Sequence, residues 1–324
     1  MISRRGFLGA SACALSLALP ASAQQSPRRL AWLSPTTAKD SAIFFEELKT
    51  GLRELGYVDG QNLVIEPYYG EDSADKLAAL IPQAIAAKPD VIVAMGGAAL
   101  ATKQANSPIP IVFGYSGDPI EAGLVESLGR PGRNSTGVSY MTLELVGKRM
   151  ELVKEVLPKA NKVAVIANPQ HPGNQAERRT SEAAAAKLGL EVKYVEARNI
   201  PQQMMALAEV EKADVDAVML FPIQTVISNR ENIAKWSIQN RIPTVSGWAQ
   251  FADGGNLMSY GPNLLAASRR LAAFVDGIFK GAKASDLPVE LPSRIEFVMN
   301  LRTAKALDIP VSPSLLVRAD RVIE

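Results

Sequence analysis

The stretch Asp90-Val91-Ile92-Val93-Ala94-Met95-Gly96-Gly97-Ala98-Ala99-Leu100 decides how the 324-residue chain is read. Five consecutive apolar residues, Val91 to Met95, are too few for a helix. They lack the alternation of a half-solvated strand, so they mark a strand buried on both faces of a parallel sheet. Gly96-Gly97 turns the chain, and a helix is expected from Ala98 to about Ala105. Strand, glycine turn and helix in that order form one unit of an open α/β sheet.

The same grammar extends in both directions. Upstream, Leu30 to Leu33 reads as a strand and Ala42 to Leu55 as a helix stopped by Gly56. A strand at Asn62 to Tyr68 and a helix at Ala74 to Ala87 follow. Downstream, Ile109 to Phe113 is a strand. A Gly/Pro/Asn-rich stretch, residues 129–137, then reads as a loop, after which the alternation restarts. Strands are expected at Lys162 to Ala167, Glu191 to Val195, Ala217 to Phe221, Thr244 to Ser246 and Leu257 to Tyr260. Helices fall at Leu143 to Leu157, Gln175 to Leu188, Gln202 to Lys212, Asn229 to Asn240 and Leu264 to Phe279. The fold class is therefore α/β, with two doubly wound parallel-sheet lobes.

Composition narrows the chemistry. The chain is 47% apolar and 21% charged, with one Cys, one His and a formal charge of +2. One Cys excludes a disulfide framework or a Cys-clustered metal centre, and one His excludes multi-His metal sites. Near-neutral charge gives no electrostatic footprint for nucleic acid. Residues 1–23 read as an export signal: basic Arg4-Arg5, an apolar run from Leu8 to Leu19, and a small-residue site favouring cleavage after Ala23. Ser3-Arg4-Arg5-Gly6-Phe7-Leu8 resembles a twin-arginine signal, with an ordinary signal peptide as the plainer alternative. Cys13 leaves with this segment, and what remains carries 33 basic and 33 acidic side chains. No later run is apolar for long enough to span a bilayer.

Candidate contacts sit where strands end. Ser34 and Thr36 follow the first strand and can hydrogen-bond a carboxylate, or simply form a turn. Gly97 and Ala98 bring bare backbone N–H groups and a helix N-terminus to the same edge, which suits an anion. No third glycine follows at dinucleotide-fingerprint spacing, so no cofactor is implied. Tyr115, Ser116 and Asp118 end another strand; Asp118 either neutralises a ligand ammonium or caps the helix starting at Pro119. Asn168, Gln224 and Trp248 occupy matching positions in the second half. Trp248 and Tyr260 serve either as aromatic lids or as packing at a hinge. His171 reads as an exposed loop histidine or a weak ligand contact, since there is no Gly-x-Ser-x-Gly elbow to give it a nucleophile.

Further segments carry a resemblance. They are Gly117-Asp118-Pro119, Gly123-Leu124-Val125, Arg130-Pro131-Gly132, Asn134-Ser135-Thr136-Gly137, Gly255 to Gly261, Lys280 to Glu290, and the tail from Asn300 to Asp320. In that order and spacing the chain, from about residue 28 to its end, resembles the ABC-transporter substrate-binding proteins, in the group with tryptophan- and phenylalanine-binding members. The resemblance implies a type I periplasmic-binding fold with three crossovers, near residues 138–141, 247–254 and 291–297. Lobe one would take 28–138 and 255–290, and lobe two 139–254 and 291–324. It also implies a monomeric, non-enzymatic periplasmic receptor that hands a small-molecule ligand to an ABC permease in the inner membrane. That ligand would be an amino acid with an apolar or aromatic side chain, or a small carboxylate. A sensory ectodomain and an exported α/β hydrolase are the alternatives; a two-cysteine racemase is impossible.

Overall fold

The computed structural model describes residues 26–140, 142–171 and 173–324; the expected export signal with Cys13, and Met141 in the first expected crossover, lie outside these. The chain opens with β1 (Arg28–Ser34), α1 (Ala38–Glu54), β2 (Leu63–Tyr69), α2 (Ala74–Ala86), β3 (Val91–Met95), α3 (Gly97–Gln104), β4 (Ile111–Tyr115) and β5 (Ser135–Ser139). It continues through α4 (Val146–Val156), β6 (Lys162–Ala167), α5 (Asn174–Lys187), β7 (Glu191–Glu196), α6 (Ile200–Glu211) and β8 (Ala217–Leu220). Next come α7 (Gln224–Ser228), α8 (Arg230–Asn240), β9 (Thr244–Ser246), α9 (Ala249–Asp253), β10 (Met258–Pro262) and α10 (Leu264–Phe279). After a short 3-10 turn the chain ends with β11 (Ile295–Asn300), α11 (Leu301–Ala306), α12 (Pro313–Arg318) and β12 (Arg321–Ile323).

Two sheets result, one per lobe. The first has the order β2-β1-β3-β4-β5, all parallel. The second has the order β12-β11-β10-β9-β8-β6-β7, parallel except where β10 meets β11. Val91 to Met95 are buried throughout, as their unbroken apolar run requires. In each sheet the order reverses once, between β1 and β3 and between β6 and β8. At such a point the two following loops run in opposite directions and leave a crevice beyond the strand ends.

Three placements differ from the sequence reading. Ser135–Ser139, taken as part of a loop, is a fully buried strand paired in register from Ile111↔Ser135 to Tyr115↔Ser139. Hydrogen bonding to β4 overrides the loop-like composition. At Gly137 (φ 148°) a Cβ would come within 2.0 Å of the Phe113 carbonyl oxygen, so only glycine fits. Residues 258–262, assigned to lobe one, form a strand of the second sheet, because β10 pairs with β9 on one side and β11 on the other. The second crossing consequently lies after Pro262, not at 247–254, where α9 packs on β10 and β11 instead. Only then does α10 return to the first lobe and pack along α1. Gly51 permits that approach: a Cβ there would sit 2.6 Å from the Arg269 carbonyl oxygen.

Candidate functional site: the cleft between the lobes

The loops at the two reversal points face one another. Pro35 after β1 and Gly96-Gly97 after β3 oppose Asn168 after β6 and Gln224 beyond β8, and all of them line one cavity of about 290 Å³. That is near the lower end of small-molecule pockets, roughly 300 Å³. The lobes come close here. A Cβ on Gly96 would lie 3.8 Å from Gln224 Cγ and 3.9 Å from Pro35 Cγ. Gly96 itself has φ 53° and ψ −127°, a conformation that side chains resist, and this turns the chain sharply from β3 into α3. The first N–H groups of α3 have no carbonyl inside the helix to bond, and they carry the positive end of its dipole. Gly97 leaves open space above this edge.

Aromatic side chains close the sides. Tyr115 stacks on His171 with centroids 6.0 Å apart, and His171 meets Phe221 edge-on at 5.2 Å. Tyr140 meets Trp248 edge-on at 6.0 Å. Tyr115 Oη, Tyr140 Oη and Trp248 Nε1 are buried and have no protein partner among the described residues. A cavity walled this way offers flat apolar faces with a few polar atoms left to satisfy, the design of a pocket for an apolar or aromatic group.

His171 links the lobes. Its Nδ1 accepts from the Gly173 N–H at 3.2 Å. The ring proton is thereby assigned to Nε2, which donates to Ser116 Oγ at 3.1 Å across the cleft. Enclosure between aromatic rings holds its pKa down at about 4, so the ring is neutral. Ser116 is fixed from behind, its carbonyl accepting from the Thr142 hydroxyl.

Asp72 is the carboxylate among the described residues that line the cavity, and Arg198 the cation. Asp72 sits in a tight turn in which Glu71 and Asp72 both take positive φ, 50° and 58°. The turn is stitched to the end of β1, with the Asp72 N–H donating to Pro35 O at 2.8 Å and the Glu71 N–H to Thr36 O at 3.2 Å. Across the cleft, Ser228 Oγ donates to Asp72 Oδ1 at 3.4 Å. Burial first, and the neighbouring Asp40 second, push the Asp72 carboxyl up to about 6; the Ser228 hydroxyl works against them. Arg230 lies 3.8 Å from Asp40 on the same rim.

The chain matches the model of the ABC transporter substrate binding protein family over residues 42–323. It belongs to that family. A tyrosine-binding protein of Clostridioides difficile (strain R20291) is 27% identical over 266 residues, spanning 80% of this chain and 74% of that one. The structure of an ABC domain in complex with L-Trp from Streptococcus pneumonia superposes with a TM-score of 0.84 at 24% identity, over 92% of this chain and 100% of that one. A conserved domain protein from Vibrio cholerae gives the same score and identity, over 92% and 99%. The fold is that of the periplasmic-binding proteins, two α/β lobes around a cleft.

Of the residues singled out in the sequence, Gly97, Tyr115, Ser116, Asn168, Gln224 and Trp248 reach this binding protein's cavity. Five others do not. Ser34 and Thr36 are buried with Ser41 in a closed hydroxyl triangle (2.6, 2.8 and 3.2 Å) that uses up their bonds. Ala98 packs into the first-lobe core, and only its backbone belongs to the α3 terminus. Asp118 is spent locally: its Oδ1 accepts from the N–H groups of Ile120 at 2.7 Å and Glu121 at 3.2 Å and closes a turn, for among the described residues no helix starts at Pro119. Tyr260 packs on Phe297 in the second-lobe core. Asp72, Tyr140 and Arg198 were not singled out, and His171, read as an exposed loop histidine or a weak ligand contact, lines the cavity half-buried. Gly70-Glu71-Asp72-Ser73 reads in sequence as a turn and helix cap, which Ser73 indeed supplies; nothing local marks Asp72 as facing a second lobe.

Proposed function

We propose that the protein is an exported solute receptor of an ABC importer, capturing an amino acid with an apolar or aromatic side chain between its lobes. The observation that supports this reading best is the cavity at the meeting of both sheet-reversal points. It has backbone N–H groups at Gly97, an acid at Asp72 and aromatic walls at Tyr115, Tyr140 and Trp248. Amino acids are named as ligands of relatives: tyrosine for the Clostridioides difficile protein, L-Trp for the Streptococcus pneumonia domain. A small aromatic carboxylate is the alternative ligand. A ligand that touches both lobes binds the closed arrangement better than the open one and so shifts the population toward closure. The closed form is then presented, from the periplasm and as a monomer, to an inner-membrane permease.

Ser116 and His171 also make a serine–histidine pair, the one feature favouring a hydrolase. The tautomer argues against it. A general base needs a free Nε2 to take the serine proton, but here Nδ1 is the acceptor and Nε2 the donor. The binding reading is tested by thermal unfolding of the purified protein, freed of bound ligand, against the twenty amino acids and a set of small aromatic carboxylates. Stabilisation confined to a few apolar or aromatic amino acids is expected, with about 2.7 kcal/mol at a hundredfold excess over Kd. A flat profile across the panel contradicts it.

A further inference from the structure

Resting on the amino-acid reading above, we infer that Asp72 is the seat of the ligand's ammonium group, and that Ser228 closes over it from the opposite lobe. Four observations converge. Asp72 supplies the carboxylate among the described residues that line the cavity. It receives no guanidinium or ammonium within bridging distance among the described residues. Its neighbour Asp40 is the one that faces Arg230, at 3.8 Å, while Arg230 also turns toward Glu231 at 3.6 Å. Asp72 is thus left without a cationic partner of its own, a place that a ligand ammonium would fill. The carboxylate is aimed by a turn that places two successive non-glycine residues in the left-handed region, φ 50° and 58°, and ties both N–H groups to the end of β1. Strained turns of this kind persist where the surroundings over-determine them, and they gather at ligand clamps. Last, the partner that Asp72 does have, Ser228, belongs to the other lobe and bonds at 3.4 Å, a long contact that leaves the remaining carboxylate lone pairs free.

This placement gives the ligand a direction. Its ammonium lies at the rim between α2 and α7, its carboxylate at the amides that open α3, and its side chain among Tyr115, Tyr140 and Trp248. Specificity for an α-amino acid over the corresponding desamino acid then rests on one residue, Asp72. The carboxylate first assigned this task, Asp118, has its oxygen committed to the backbone of Ile120 and Glu121.

Calorimetric titration separates the possibilities. Wild type, Asp72→Asn and Asp118→Asn are each titrated with L-tryptophan, L-tyrosine and L-phenylalanine, and with 3-phenylpropionate and indole-3-propionate. Asparagine tolerates the left-handed region and keeps an oxygen for Ser228, so Asp72→Asn alters charge with little disturbance of the turn. Asp72→Asn is expected to weaken amino-acid binding by about tenfold or more, while binding the two desamino acids as well as or better than wild type; Asp118→Asn is expected to match wild type throughout. Wild-type affinity for the amino acids in Asp72→Asn overturns the inference and leaves the amino-acid reading standing. So does an equal loss for amino and desamino ligands, which would make Asp72 a structural residue. A wild type that binds none of the three amino acids overturns the reading itself and the inference with it.

Discussion

At the mouth of the cleft the lobes touch through Ser228 on Asp72 at 3.4 Å and Arg230 beside Asp40 at 3.8 Å. At the hinge end, Arg149 of α4 is 1% exposed and donates to the carbonyls of Tyr260 at 2.9 Å and Thr142 at 3.1 Å. Those two carbonyls lie on the chain just after the first crossing and just before the second. Arg149 thus pins two of the three crossings onto the second lobe. Mouth contacts are long, partly wet and replaceable by water at little cost. The hinge contacts are short and dry, and a buried carbonyl that loses its donor has no substitute. Burial draws the Arg149 pKa down to about 10, so the guanidinium stays charged at neutral pH. The same burial raises Glu177 well above the ordinary carboxyl range, against the pull of Arg149 and Tyr194. The difference teaches which end is the weaker: contacts at the mouth are the ones an opening of the lobes would break first, and those at the hinge the last.

The largest effect should follow from breaking the hinge. Arg149→Met keeps bulk but strands the carbonyls of Thr142 and Tyr260, and is expected to cost about 3 kcal/mol of unfolding free energy in a urea titration. Arg149→Lys should recover part of it. If Arg149→Met is as stable as wild type, the hinge is no firmer than the mouth and the comparison fails.

The hinge also marks the limit of what the sequence discloses. Buried strands such as Val91–Met95 and Lys162–Ala167 are legible because their apolar runs are local signals, and Leu264–Phe279 declares itself by its helical period. The strand β10 is readable as a strand, but its lobe is decided by pairing with β9 and β11, contacts that its own residues do not encode. In the cleft, Gly96-Gly97, Tyr115 and Trp248 could be found by the rule that ligands sit beyond strand ends. Asp72 could not, because its turn has the composition of any helix cap and only the second lobe gives it a partner. Asp118 misled for the converse reason: aspartate before proline is equally a turn former, and here its carboxylate closes the turn at Pro119 and caps no helix.

A mid-sized effect sharpens the mouth itself, where two groups titrate in opposite senses. His171 is held at about 4, below its ordinary 6.5, so the fold loses stability as pH falls from about 6.5 toward 4. Asp72 is held at about 6, above its ordinary 3.8, so its share is fullest at low pH and is lost as pH rises from about 4 to 6. Each bears on the order of 2 kcal/mol, and across pH 4–6 they offset one another. Relative to wild type, His171→Gln should therefore tilt unfolding stability toward lower pH in that window, and Asp72→Asn should tilt it toward higher pH. Parallel pH profiles for all three proteins would show that neither group is held by closure.

The smallest effect belongs to the latch. Ser228→Ala should change unfolding stability by less than about 1 kcal/mol, and a loss as large as that of Arg149→Met would reverse the order of the two regions.

Distance measurement between spin labels across the mouth bears most directly on the clamp. The sequence has one cysteine, Cys13, within the expected export segment, so Lys39→Cys and Glu231→Cys label the chain from residue 24 onward at those two sites alone. Both positions are exposed and flank Asp40 and Arg230. Without ligand, electron–electron resonance should give a broad distribution reaching longer distances; saturating L-tryptophan or L-tyrosine should collapse it to a single shorter one. A distribution that stays the same while the same sample binds the amino acid would contradict closure of two lobes on a ligand between them.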